Sequence, residues 1–338
     1  MSAHEQRTDP VQDARHPRVP SINNPNSCVY DVCLDDFAGG VGLWGAVPAG
    51  YDTTRLPMDR GIHVHARSTR GRIKQVDKTH SVVRLIGTRL PRDGIVVSEL
   101  EAIYFMVSTV FGIAPQNLVC PACGSPHLDQ DWYCVHPHLE HECEKCGTKF
   151  ESTELAVGNP IVTVRELCGF PQQTIVRSNK QLDISQKQFG NGLLIWGSNP
   201  AFLWTGGHAE QEGMHVHVFG SSTEAPELDE TFGTVQIDGV EVDAQLVRLH
   251  MAQQSLPSLR GKIAVVHCPE CSIAQADSGS DAYTPSICRV CSTCGCRFNA
   301  EREVVSNPIL TTFDRLAEFA QQEPQRYVLN LPIVRPAA

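Results

Sequence analysis

Apolar and polar residues alternate along Gly61-Ile-His-Val-His-Ala-Arg67, the period of a strand with one face inward. Residues 82–86 and 94–97 repeat that pattern less regularly. The period then changes. Ser98 and Glu101 read as a capping box, and Ala102, Ile103, Phe105, Met106 and Val110 form a helical stripe that ends at Gly112. The same sequence of patterns returns later, where Asp243 caps a stripe of Leu246, Val247, Leu249 and Met251 that Pro257 stops. Each stretch predicts a strand-rich α+β unit with one main helix, whose methionine and aromatic residues serve the core.

The two stretches align with each other. Asp31, Phe37, Gly40, Trp44, Gly45, Gly61, His63 and His65 recur 152 residues on as Asp183, Phe189, Gly192, Trp196, Gly197, Gly213, His215 and His217. Eight cysteines form four pairs at an offset of 148, at which Asn159-Pro160-Ile161 also recurs as Asn307-Pro308-Ile309. The chain therefore reads as a tandem duplication. The expected layout is a disordered tail at 1–27, repeat one at 28–167, a linker at 168–182, repeat two at 183–315, and a helix end and strap at 316–338. In this layout the two copies dock on each other as a pseudo-twofold pair, because each unit leaves an apolar face that its twin can cover.

Composition narrows the class. Across 338 residues, 41% are hydrophobic and the formal net charge is -10, which suits a globular chain and argues against indiscriminate nucleic-acid binding by the whole molecule. The longest apolar run is too short to span a bilayer and the N-terminus lacks a signal pattern, so the expected location is the cytoplasm, with no membrane partner. Charge separates the copies. From Asp52 to Asp93 there are ten Lys or Arg against four acids, whereas from Trp204 to Gln245 there are nine acids and no Lys or Arg. Arg67, Arg70, Arg72, Lys74 and Lys78 are thus candidate anion-binding residues for nucleic acid, an acidic protein, or the acidic half of another copy in a homo-oligomer.

The strongest chemical signal lies in the cysteines. Cys120-x-x-Cys123 and Cys143-x-x-Cys146 are separated by 19 residues, as are Cys268-x-x-Cys271 and Cys291-x-x-Cys294. Paired knuckles at one fixed spacing close a tetrahedral thiolate cage, so two zinc ions per chain are expected. Residues 118–150 and 266–298 resemble the zinc-ribbon superfamily, a likeness that implies a metal and a hairpin fold and leaves function open. Copy two departs from that pattern at Ser272, where the first knuckle should end in glycine, a change expected to affect only the turn. Of the other cysteines, Cys28, Cys33 and Cys168 read as small buried hydrophobes, while Cys288 and Cys296 lie close enough in sequence to the second cage to exchange with a ligand.

Histidines offer a second metal site. His63 with His65, and His215 with His217, sit two apart on strands and so face one side, either chelating an ion or packing as hydrogen-bonders near Trp44 and Trp196. Such a pair opens the metal motif of cupins, but the glutamate and third histidine of that motif have no counterpart here. His136, His138 and His141, together with His127, cluster ahead of Cys143 in copy one alone. Two readings result: a non-enzymatic zinc scaffold or adaptor, which the absence of a nucleophile, acid–base pair or P-loop favours, and a metal-dependent enzyme using these histidines.

Overall fold

The computed structural model describes residues 29–37, 40–54, 60–66, 76–168, 174–185, 192–205, 210–218, 228–322 and 333–336; the tail read at 1–27 lies outside it, as does Cys28. The first half runs β1 (Val29–Cys33), β2 (Val41–Ala46), β3 (Tyr51–Asp52), β4 (Gly61–Ala66), β5 (Val76–His80), β6 (Val82–Ile86), β7 (Ile95–Ser98) and α1 (Glu99–Val110). A hairpin of β8 (His138–Glu142) and β9 (Lys149–Ala156) follows, then α2 (Ile161–Cys168). The second half runs β10 (Ile175–Arg177), β11 (Lys180–Ile184), β12 (Leu193–Gly197), β13 (Leu203–Trp204), β14 (Glu210–Glu212), β15 (Met214–Val218), β16 (Leu228–Phe232), β17 (Thr234–Ile237) and β18 (Val240–Val242). It continues through α3 (Ala244–Ser255), β19 (Ile263–Ala264), β20 (Ser286–Val290), β21 (Arg297–Ser306) and α4 (Ile309–Gln322) to β22 (Ile333–Pro336). The fold is α+β, with many short strands in small sheets. Among the described residues no helix is long and apolar enough to cross a membrane.

β1 lies parallel to β6, with β7 antiparallel beside it. β11, β17 and β18 have the same arrangement, and β22 adds antiparallel to β11 with Val334 opposite Leu182. Part of the C-terminal segment read as a strap is therefore a sheet strand. The segment read as a linker at 168–182 also differs from expectation: β10 and the first residues of β11 fall within it. Its β-branched Ile175 and Val176 suit an extended backbone, which pairs with β14.

Two four-stranded sheets interlock the halves. One has the order β13-β2-β4-β5 and the other β16-β15-β12-β3, so each takes its fourth strand from the opposite half. Phe202 N donates to Leu43 O at 2.9 Å and Thr205 N to Val41 O at 2.9 Å. Gly50 N donates to Ile195 O at 2.9 Å and Thr53 N to Leu193 O at 3.1 Å. These four bonds form two pairs related by the 152-residue offset.

Helix α1 begins as its capping box dictates, with Ser98 N donating to Glu101 Oε2 at 2.6 Å and Glu101 N to Ser98 Oγ at 3.4 Å. Glycine lets the backbones meet at Gly45, where a Cβ would stand 2.4 Å from Ala102 O, and at Gly197, where it would stand 2.7 Å from Arg248 N. Ile103, Met106 and Val107 of α1 share one buried cluster with Val247, Met251 and Ala252 of α3. That core spans both halves.

A buried carboxylate pins the exchange. Trp44 Nε1 donates to Glu210 Oε1 at 2.7 Å and Ala201 N donates to the same oxygen at 2.8 Å, while only 7% of Glu210 is exposed. Burial raises its pKa to about 7 against these two donors. A carboxyl raised in this way stabilises the fold below its ordinary pKa and loses that contribution as pH rises through about 7. Glu210→Gln keeps an acceptor oxygen, so it should match wild type near pH 5 and exceed it by on the order of 3 kcal/mol near pH 8. Denaturant unfolding at the two pH values checks this; an equal offset at both would refute it.

Candidate metal centres

Both ribbons bring their four cysteines together. Cys120 and Cys146 Sγ lie 3.6 Å apart, as do Cys123 and Cys143, Cys268 and Cys294, and Cys271 and Cys291. A disulfide requires about 2.05 Å. A tetrahedron with metal–sulfur bonds of about 2.3 Å has edges of about 3.75 Å. Each four-cysteine cluster is thus a metal-binding cage laid out as in a zinc ribbon. Hydrogen bonds from Ser125 lower the pKa of the Cys123 thiol and the backbone N–H of Cys294 lowers that of Cys291, while other thiols of the same cages, Cys143 and Cys294, are raised.

The knuckles share one turn. Gly124 N donates to Cys120 O, Gly147 N to Cys143 O, Ser272 N to Cys268 O and Gly295 N to Cys291 O, all at 2.7–2.9 Å. Gly124, Gly147 and Gly295 have φ near 70°, and Ser272 is held at 58°, so the departure from glycine carries backbone strain of about 1–2 kcal/mol. Asn159 Nδ2 anchors the first ribbon to Glu101 O at 3.0 Å, and Asn307 Nδ2 the second to Leu246 O at 3.1 Å. That anchor explains the repeated Asn-Pro-Ile run. Cys33 and Cys134 are buried, Cys168 and Cys296 are half-buried, and Cys288 is exposed on β20.

The paired histidines occupy the outer face of their strands. β15 buries Met214, Val216 and Val218 and leaves His215 and His217 half-exposed, as β4 does with Ile62, Val64, Ala66 against His63 and His65. The adjacent strand supplies what the sequence reading missed. His217 faces Asp229 and His215 faces Thr231, just as His65 faces Asp77 and His63 faces Thr79. His215 Nε2 and His217 Nε2 lie 2.7 Å apart, and 3.2 and 3.0 Å from Asp229 Oδ1. Thr231 Oγ1 sits 3.2 Å from His215 Nδ1. Hydrogen bonds from His215 and His217 hold Asp229 well below the usual carboxylate range. In the first half His63 Nε2 is 3.3 Å from Asp77, and the His63 and His65 rings stand 6.4 Å apart against 4.6 Å for His215 and His217. The second half therefore has the tighter cluster. Burial lowers the pKa of His63, with Asp77 opposing, and His65, His215 and His217 add to the lowering, so the two pairs influence each other across the junction. All four rings also touch Trp44 or Trp196 at centroid distances of 5.2–6.5 Å. The missed signal was present: Asp77-x-Thr79 recurs as Asp229-x-Thr231 at the same offset of 152.

In the first ribbon His127, His138 and His141 surround Asp129, a residue the sequence reading did not single out. His136 does not join them; its ring stacks on Trp132 at 3.9 Å. Of the candidate anion-binding residues, Arg67, Arg70, Arg72 and Lys74 lie outside the described residues. Lys78 is exposed on β5, one residue from both Asp77 and Thr79 and therefore on the opposite face. No protein-family model, curated protein or solved structure matches the chain.

Proposed function

We propose that the protein is a metal-dependent enzyme made of two tandemly duplicated halves, each stabilised by a structural zinc ion, with a further ion at His215, His217 and Asp229 as its reactive centre. One observation carries this reading. The three donor atoms are 2.7, 3.2 and 3.0 Å apart, and one face of an octahedron with bonds of about 2.1 Å has edges of about 3.0 Å. The side chains of His215, His217 and Asp229 are 35%, 32% and 51% exposed, so water or substrate can reach an ion held there. Thr231 at His215 Nδ1 sets the ring so that Nε2 points to the ion. A divalent ion in such a site supplies a water of lowered pKa or polarises an oxygen of the substrate. Duplication is supported by the paired positions of Asp77 and Asp229, Thr79 and Thr231, and the two exchanged strands; zinc is supported by the all-thiolate donor sets.

The test is metal content. Asp229→Ala should carry one ion fewer per chain than wild type while keeping both ribbon ions, and Mn²⁺-loaded wild type should enhance water-proton relaxation in a way the variant does not. Equal metal content in the two proteins would sink the proposal.

A further inference from the structure

The two ribbons neutralise the equivalent carboxylate in different ways. In the second, Arg289 Nη1 lies 2.7 and 2.9 Å from the oxygens of Asp277, and Ser306 N donates to Oδ2 at 2.6 Å. In the first, 148 residues earlier, Asp129 accepts from Gly158 N at 2.7 Å, but His141 stands where the arginine would be. Among the described residues no Lys or Arg pairs with Asp129, which is 5% exposed. Three imidazoles face it instead: His127 Nε2 at 2.8 Å, His138 Nε2 at 3.3 Å and His141 Nδ1 at 3.5 Å from Oδ1.

The far sides of the His138 and His141 rings fix where their protons sit. His138 Nδ1 is 2.7 Å from His136 O, which can only accept, so Nδ1 carries the proton and Nε2 points a bare lone pair at Asp129. Ser152 Oγ gives its own proton to Glu154 O at 2.7 Å and so accepts from His141 Nε2 at 3.2 Å. That leaves His141 Nδ1 bare as well. Two nitrogen lone pairs directed at a buried carboxylate repel it unless a cation lies between them. An acceptor on the outer nitrogen, such as Ser152 Oγ gives His141, is the usual support of metal-bound histidine; the outer nitrogen of His127, Nδ1, is buried with no partner among the described residues. The donor atoms of His127, Asp129 and His141 lie within 4.8 Å of one another, and the two nitrogens stand 2.8 and 3.5 Å from Asp129 Oδ1, either side of the edge of about 3.3 Å for a tetrahedron with bonds of about 2.05 Å.

We propose that His127, Asp129 and His141 hold a divalent transition-metal ion of the zinc class, buried inside the first ribbon beside His138 and additional to its four-cysteine cage. The second ribbon has no counterpart, because Gln275, Ser286 and Arg289 occupy the positions of His127, His138 and His141.

The second ribbon supplies the control. His127→Gln with His138→Ser and His141→Arg gives the first ribbon its twin's residues, which the second ribbon carries around Asp277. Zinc content is measured on the full chain in the Asp229→Ala background, so that the result is independent of the proposed reactive centre. The triple change should lower the stoichiometry by one ion per chain, while Co²⁺-loaded protein keeps the thiolate-to-cobalt absorption of both cages. Ser152→Ala should weaken the same ion by about 10- to 100-fold in equilibrium dialysis. If the triple variant fails to fold, His141→Ala alone decides the matter by the same count. Unchanged metal content in a folded variant would overturn the site.

Discussion

Ending the chain near Leu182 should leave a first half that does not fold as a monomer. Such a fragment loses β13, and with it the bonds from Phe202 and Thr205 to the edge of β2. It also strands β3, whose partner β12 is gone. Ile103, Met106 and Val107 lose the α3 residues with which they share a buried cluster. Exposing three such side chains costs about 5–9 kcal/mol at about 1.5–3 kcal/mol each, comparable with the whole stability of a domain, about 5–15 kcal/mol. The fragment should sediment as dimers or aggregates and lack a cooperative urea transition, and co-expression with the missing half should restore both properties. A monomeric fragment as stable as the full chain would show that the exchange is dispensable.

Cys268→Ser should have an effect of similar size by another route. Metal binding in a ribbon is folding free energy, about 10–16 kcal/mol for structural zinc in small modules. Losing it should cost one ion and all hydrogen-exchange protection across 266–298. The damage should spread, because Gln253 Nε2 of α3 donates to Ala282 O at 2.8 Å, and Tyr283 packs edge-on to Phe111, just past α1 in the other half, at 5.1 Å. Protection at the end of α1 should therefore fall too. Cys120→Ser should do the same to 118–150. Full metal content or native protection in either variant would contradict the cage assignment.

Much of this was readable from residues alone, for local reasons. The cysteine spacing, the Ser98 capping box and the outward histidines each depend on neighbours within a few residues. Asp77 and Asp229 were within reach at the known offset, but carboxylates are common and an exposed one on an edge strand carries no mark of its own. Glu210, Glu212 and Asp229 entered only as part of an acidic excess. In the fold Glu210 is buried against Trp44, Glu212 pairs with Arg248, and Asp229 joins the histidines. Strand exchange left no trace in the pattern, because periodicity gives a strand its inward face and says nothing about which distant strand lies beside it.

That exchange also sets a timetable for synthesis. Leu43 of β2 pairs with Leu203, 160 residues later, an interval of roughly 8–32 s at about 5–20 residues per second. Throughout it the emerging first half carries an open sheet edge and an uncovered helix face beside the ribosome. On a polysome, the nearest matching β13 can belong to the chain ahead. Translation speed and holdase chaperones, more than the stability of the finished molecule, then decide how much of the product closes on itself and how much is exchanged between neighbouring chains.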